Sequence, residues 1–170
     1  IMKHKISAIA YLAISLLFFV HGAAADTLIR GAETNLPLPR FVSLKASEGN
    51  VRRGPSLSHR IDWILKHRNT PLQVVAEHGH WRKVLDFEGA GGWIHYSLLS
   101  GSRMVVVRDE LLDLKQQPKS ESLSKAQLQQ NVIARLNACE IQWCKVTAGG
   151  YKGWVQKTAL WGVNSDDIFD

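Results

Sequence analysis

Apolar and polar residues alternate in short runs through the middle and end of the chain, and glycine-containing segments separate the runs. One run spans residues 81–87, with interruptions before and after it at 77–79 and 88–92. Similar runs occur at 143–147 and 151–156. An apolar–polar period of two with such interruptions predicts strands joined by tight turns. The pattern therefore indicates an all-β protein.

The alternating pattern occurs twice, at a spacing of about 61 residues, which indicates repeated structural units. The segment Trp81–Val84 matches Trp143–Val146, and Gly92–Ile94 matches Gly153–Val155. We therefore expect two tandem domains. The expected boundaries are a signal peptide at 1–25, an N-terminal linker at 26–37, a first domain at 38–101, a second domain at 102–163 and a C-terminal tail at 164–170.

Each copy is expected to open with a strand, at Phe41–Lys45 and at Met104–Val107. A longer arm follows, at 51–56 in the first copy and at 112–128, around Pro118, in the second. Gly54-Pro55 should fix a long loop, since glycine tolerates unusual backbone angles and proline presets φ. We expect both arms to be irregular.

Trp93 and Trp154 each follow a glycine and precede an apolar residue. A domain of about 60 residues buries little core, so one large aromatic side chain supplies a large share of the buried area. We therefore expect Trp93 and Trp154 to be core structural residues.

These motifs resemble the bacterial SH3-like (Src-homology-3, SH3b-type) domain family found on exported proteins. The matching residues are Asn50–Ser56, Val74–Val84 and Gly91–Ile94 in the first copy, and Trp143–Val146 and Tyr151–Val155 in the second. The resemblance implies two tandem small SH3-like barrels after an N-terminal signal peptide. It also implies that binding takes place on variable loops.

Residues 1–25 have the composition of a cleavable signal peptide. Lys3 and Lys5 precede a mostly apolar run at 6–20, and Ala23-Ala24-Ala25 supplies the small residues that a signal peptidase needs. The run is shorter than the roughly 20 apolar residues that span a bilayer. We expect cleavage after Ala25, a periplasmic or secreted protein, and no stable membrane span after cleavage.

Cys139 and Cys144 are the two cysteines of the chain, and both follow the expected cleavage site. Two thiols on one predicted hairpin in an oxidising compartment favour a disulfide. A pair of free thiols is the alternative.

Charge and motif content exclude several classes of function. Without the two lysines of residues 1–25, the 21 basic side chains become 19 against 15 acidic ones, a formal charge of +4. That is too mild for a typical nucleic-acid binder, so we expect no nucleic-acid partner. Every histidine after residue 25 lies between His59 and His95, far in sequence from both cysteines. No phosphate loop or serine-hydrolase elbow is present, so we expect no catalytic residues and no enzyme.

The basic stretch at residues 52–68 of the first copy is the candidate ligand surface. Basic side chains cluster there with little acidic compensation, and aromatic side chains are expected nearby, which suits an anionic ligand or a peptide bound in an aromatic-lined cleft. A solvated loop face is the alternative interpretation. The candidate ligand-binding residues are Arg52, Arg53, Arg60, Trp63, His80, Trp81 and Tyr96.

A metal site would require His78, His80 and His95 to converge, and the spacing of two places His78 and His80 on one face. Turns also tolerate exposed histidines, and no carboxylate or cysteine completes the set. We therefore predict no metal and no cofactor.

The leading hypothesis is a non-catalytic exported binding module that docks, through its first copy, on peptidoglycan or on a peptide of an envelope protein. The alternatives are a structural scaffold for a protein partner and an accessory to a cell-wall hydrolase. The sequence leaves the oligomeric state open.

Overall fold

The structure is a computed structural model that describes residues 29–170, so the signal peptide predicted at 1–25 lies outside the described residues. Within that range, fourteen strands form two antiparallel seven-stranded sheets. The strands are β1 (Arg40–Leu44), β2 (Gly49–Arg52), β3 (Ile61–Leu65), β4 (Pro71–His78), β5 (Trp81–Leu85), β6 (Gly91–His95), β7 (Leu99–Ser100), β8 (Met104–Val107), β9 (Leu111–Lys115), β10 (Ser124–Gln129), β11 (Ile133–Cys139), β12 (Trp143–Ala148), β13 (Tyr151–Gln156) and β14 (Leu160–Trp161).

The two sheets have the same strand order, which confirms the predicted all-β tandem. The first is ordered β3-β2-β6-β5-β4-β1-β7 and the second β10-β9-β13-β12-β11-β8-β14. A 3₁₀ turn precedes the last strand of each, at Tyr96–Leu98 and Lys157–Ala159. We call β1–β7 the first domain and β8–β14 the second domain. No helix within residues 29–170 is long and apolar enough to cross a membrane.

The arms are hairpins, and the prediction of irregular arms is wrong. β2 pairs with β3, and β9 pairs with β10. Val51 in β2 and Leu112 and Leu114 in β9 point inward and are buried. Gly54-Pro55 and Pro118 lie in the loops between the paired strands, so their loop signal applies to the hairpin tips alone.

The prediction that Trp93 and Trp154 are core residues is also wrong, because both are half-buried on the outer face of their strands. The residues that follow them, Ile94 and Val155, are fully buried in the two cores. Successive side chains of a strand point to opposite faces, so a buried Ile94 requires Trp93 to face outward.

One cross-strand pair in the interior differs between the domains. Glu77 of β4 lies opposite Arg82 of β5, with 3.5 Å between Oε1 and Nε. At the matching position of the second domain, Cys139 lies opposite Cys144 and the two form a disulfide, with the Cα atoms 4.1 Å apart. The predicted disulfide is therefore present, and it replaces a buried ion pair.

The segments predicted as linker and tail pack against these two positions. Residues 29–37 form a turn whose backbone binds the Glu77 carboxylate. In the second domain, Phe169 and Cys139 exchange two backbone hydrogen bonds of 2.7 and 3.0 Å. The tail thus extends the sheet of the second domain, whereas the N-terminal segment binds the first domain through the Glu77 side chain.

An aromatic contact joins the two domains. The rings of Phe41 in β1 and Trp161 in β14 meet edge to face at 5.2 Å between centroids. The Arg103 guanidinium lies 5.9 Å from the Phe41 ring and bonds Asp167 at 2.6 Å. Strands β4 and β8 are also in contact, so the domains share an interface of packed side chains.

Candidate functional site

Four rings gather on the surface of the first domain, where the β4–β5 turn meets the 3₁₀ turn. We call His80, Trp81, His95 and Tyr96 the ring cluster. Its centroid distances are 5.0 Å for His95–Tyr96, 5.5 Å for Trp81–His95, 5.6 Å for His80–Tyr96 and 5.9 Å for His80–His95. Tyr96 is 48% exposed, so the cluster presents aromatic surface to solvent.

The backbone fixes the cluster in place. Gly79 turns the chain between β4 and β5 with a φ of +51°, a left-handed conformation that favours glycine. The backbone N–H of Tyr96 donates to the carbonyl of His80 at 2.9 Å. The His95 ring lies 2.7 Å from the Ser97 hydroxyl and caps the 3₁₀ turn. Both loops are therefore tied to each other and to the sheet.

A buried carboxylate supports the cluster from beneath. Glu77 accepts from the Thr34 hydroxyl at 2.7 Å and from Arg40 at 2.7 Å. Burial opposes ionisation, but these bonds and the backbone N–H groups of Glu33 and Thr34 outweigh it and lower the pKa of Glu77 to about 2. Glu77 is therefore charged at neutral pH.

Arg82 connects that carboxylate to the rings. Its guanidinium donates to the carbonyls of Gly79 and Trp81, each at 2.9 Å, and lies 5.8 Å from the Tyr96 ring centre. The Glu33 carboxylate accepts from the Gly79 N–H at 2.8 Å. The N-terminal segment and the β4–β5 turn thus form one bonded unit.

Three of the five lysine and arginine side chains at residues 52–68 have partners within that stretch. Arg52 donates to the carbonyls of Leu57 and His59, at 3.0 and 2.8 Å, and so holds the hairpin tip together. Arg53 and Arg60 both pair with Asp62, at 3.2 and 2.8 Å. The Arg60 hydrogen bond lowers the pKa of Asp62. These contacts give the arm a structured tip with reduced net charge.

Trp63 lies apart from the ring cluster. It is 53% exposed and lines a small cavity of about 80 Å³ with Val84, Asp86 and Ala90. Val84 is three residues from Trp81, about 10 Å along β5 at 3.3 Å per residue, and Asp86 and Ala90 come after the end of that strand. Of the seven candidate ligand-binding residues, the structure gathers His80, Trp81 and Tyr96 into one surface.

His95 was absent from the ligand-binding candidates, although its ring contacts Trp81 and Tyr96. The available signal was its spacing of two from Trp93 on the same strand, which places both on the outer face. His78 lies on that face too, 6.5 Å from Trp93 between ring centroids. Within residues 29–170, no three histidine, cysteine or acidic side chains form a metal-holding group.

The chain is similar to several solved structures. NlpC2 from Trichomonas vaginalis is 12% identical with a TM-score of 0.34, and the match covers 72% of this chain and 48% of that one. NlpC1 from the same organism is 12% identical with a TM-score of 0.34, and the match covers 77% of this chain and 48% of that one. An NlpC/P60 family protein from Bacillus cereus is 16% identical with a TM-score of 0.32, and the match covers 75% of this chain and 58% of that one. The chain spans about half the length of these proteins, and similarity this low supports no argument about function.

No curated protein matches the chain. The family comparison is decisive, because a model described as the bacterial SH3 domain matches residues 45–101 and again residues 109–162. Those two matches fall on the two seven-stranded sheets of identical strand order. The chain therefore belongs to the bacterial SH3 domain family and carries two copies of the domain in tandem.

Proposed function

We propose that this chain is a non-catalytic, exported binding module that docks on peptidoglycan or on a peptide of an envelope protein through the ring cluster. The observation that carries the proposal is the gathering of four rings at one exposed loop junction. Aromatic side chains on a rigid frame give large contact area at low entropic cost, and they are enriched among the residues that dominate binding energy.

The charges around the cluster favour an anionic or carboxylate-bearing ligand. Lys83 is exposed on the same outer face of β5 as Trp81. An aromatic surface beside an exposed lysine suits the acidic peptides of a cell wall.

The disulfide supports a non-catalytic role. Both cysteines of the chain are bonded to each other and buried, so neither offers a thiolate to a histidine. The bonded thiols lie in the second domain, whereas the histidines of the ring cluster lie in the first.

Co-sedimentation with purified peptidoglycan tests the proposal. The Tyr96→Ala variant removes a 48% exposed ring of the cluster, and we expect it to weaken pelleting about tenfold, as for an aromatic residue that dominates an interface. The matched control is Tyr151→Ala, which removes a 56% exposed tyrosine from the second domain and should pellet like the unaltered protein.

Two results would contradict the proposal. One is an unaltered protein that stays in the supernatant. The other is a Tyr96→Ala variant, shown to be folded by its near-ultraviolet circular dichroism, that pellets as well as the Tyr151→Ala control.

A further inference from the structure

A cavity of about 490 Å³ opens on the second domain at the position that matches the ring cluster. It lies between the β11–β12 turn, which carries Ile141 and Gln142, and the second 3₁₀ turn, which carries Thr158. Its volume is within the range of natural small-molecule and peptide sites. We call it the polar cavity.

The two positions are built alike but differ in chemistry. The N–H of Lys157 donates to the carbonyl of Gln142 at 2.8 Å, just as that of Tyr96 donates to His80. Gln142, Gln156 and Lys157 therefore stand where the first domain has His80, His95 and Tyr96. Two amides and a lysine ammonium replace three of the four rings, and Trp143 matches the fourth, Trp81.

The C-terminal tail forms a third wall of the polar cavity. Val163 and Ser165 line it. The Lys157 ammonium is turned inward, 6% exposed, and donates to the carbonyls of Ser165 and Asp167 at 3.0 and 2.8 Å. Its charge is used to hold the tail, so it is not the group that meets a ligand.

Arg108 is the cation at the rim of the polar cavity. It is exposed and forms no ion pair within residues 29–170. Its backbone N–H bonds the carbonyl of Ala159, which fixes it beside the 3₁₀ turn. A guanidinium held at a cavity mouth is suited to a carboxylate.

We propose that the polar cavity is a second binding site, for a short peptide segment with an aliphatic side chain and a free carboxylate. Gln142 and Gln156 offer amide donors and acceptors that match a peptide backbone. Ile141, 74% exposed, and the half-buried Val163 offer an aliphatic wall. No aromatic side chain lines the cavity, which disfavours a sugar stacked by its face.

The site is separate from the ring cluster, so its test stands whether or not the first domain binds the cell wall. The probes are N-acetyl-Ala-Leu with a free carboxylate, the same dipeptide as its C-terminal amide, and N,N′-diacetylchitobiose as a sugar. Each is titrated into the full chain while backbone amide shifts are followed by nuclear magnetic resonance.

We expect the acid to shift the amides of 141–142 and 156–158, and the C-terminal amide to bind about fivefold more weakly. Arg108→Gln should weaken binding of the free-carboxylate dipeptide by a similar factor and leave binding of its C-terminal amide unchanged. The matched control is Arg135→Gln, which removes an exposed arginine of β11 outside the cavity and should change the affinity for neither dipeptide.

Equal binding of acid and amide, an Arg108→Gln variant that binds like the control, or no shifts at these amides would overturn the inference. Shifts at these amides with the sugar in place of the dipeptide would overturn it too.

Discussion

Glu77 shows at the residue scale how one buried charge organises a surface. Its carboxylate is fully buried and is bonded by the N-terminal segment, by Arg40 and, more distantly, by Arg82. Gly31 passes so close to this carboxylate that any larger side chain would collide with it. The ring cluster therefore rests on a charge that is itself buried away from solvent.

The pKa of Glu77 gives a prediction about acid stability. Hydrogen bonds hold it at about 2, below the ordinary value of 4.5. Such a carboxylate contributes its full stability above pH 4.5 and loses it as the pH falls toward 2, a contribution of about 3 kcal/mol. Glu77→Gln should lower the free energy of unfolding at pH 7 by about that amount and flatten its dependence on pH between 4.5 and 2.

Urea unfolding at a series of pH values measures this effect. The control is Glu121→Gln, an exposed glutamate of the second domain, which should keep the acid dependence of the unaltered protein. If the Glu77→Gln variant showed the same dependence as that control, the stabilising role of the buried carboxylate would be refuted.

The tryptophans show where single-residue prediction fails. Alternation predicts that Trp93 and Ile94 face opposite sides, and likewise Trp154 and Val155, but it does not say which side is the core. That choice depends on cross-strand neighbours, such as the contact of the Lys145 ammonium with the Trp154 ring at 5.5 Å. His80 and Tyr96 lie outside the strands, where this ambiguity does not arise, whereas His95, at the end of β6, was absent from the ligand-binding candidates.

At the element scale, the β11–β12 hairpin carries the disulfide bond of the second domain. Cys139 ends β11 and Cys144 lies near the start of β12, so the bond closes a short loop at the hairpin turn. The same hairpin end holds Phe169 of the tail and forms one side of the polar cavity.

Replacing both cysteines tests the contribution of this bond. Cys139→Ala together with Cys144→Ala should lower the free energy of unfolding of the second domain by about 2 kcal/mol, as the loop-entropy model gives for a short loop. Hydrogen exchange should accelerate in β11–β13 and remain unchanged in β4–β6. Two reactive thiols in the untreated, folded protein would show that the bond is not formed.

The hairpin arms could not be predicted at this scale from local sequence. Gly54-Pro55 marks a loop, but the pairing of Val51 with Trp63 joins residues twelve apart, and Arg52 pairs with Trp93 of a still more distant strand. Such pairings depend on tertiary context. The repeat, by contrast, was predictable, because the matched segments of each copy lie within a single hairpin pair.

At the scale of the whole molecule, the contact between Phe41 and Trp161 packs the first domain against the second. Met104 and Val106 are buried although they alternate with Val105 and Val107, which belong to the core of the second domain. Both faces of β8 are therefore covered, one by its own core and one by neighbouring side chains. Since β4 contacts β8, the first domain supplies part of that cover.

Removing the aromatic contact should loosen the tandem. We expect Phe41→Ala to increase the radius of gyration measured by small-angle X-ray scattering, because Trp161 and Arg103 lose their shared partner. Phe87→Ala is the control, since Phe87 is an exposed phenylalanine of the first domain. Identical scattering from the two variants would argue that this contact does not hold the domains together.

The exchange of Glu77–Arg82 for Cys139–Cys144 gives the two halves of the protein different chemical vulnerabilities. Acid discharges the ion pair but leaves the sulfur bond unaffected, whereas a reductant cleaves the sulfur bond and leaves the ion pair charged. At this position, therefore, acid weakens the first domain alone and a reductant weakens the second domain alone. The same cross-strand position is thus closed by an acid-sensitive pair in one copy of the fold and by a reductant-sensitive bond in the other.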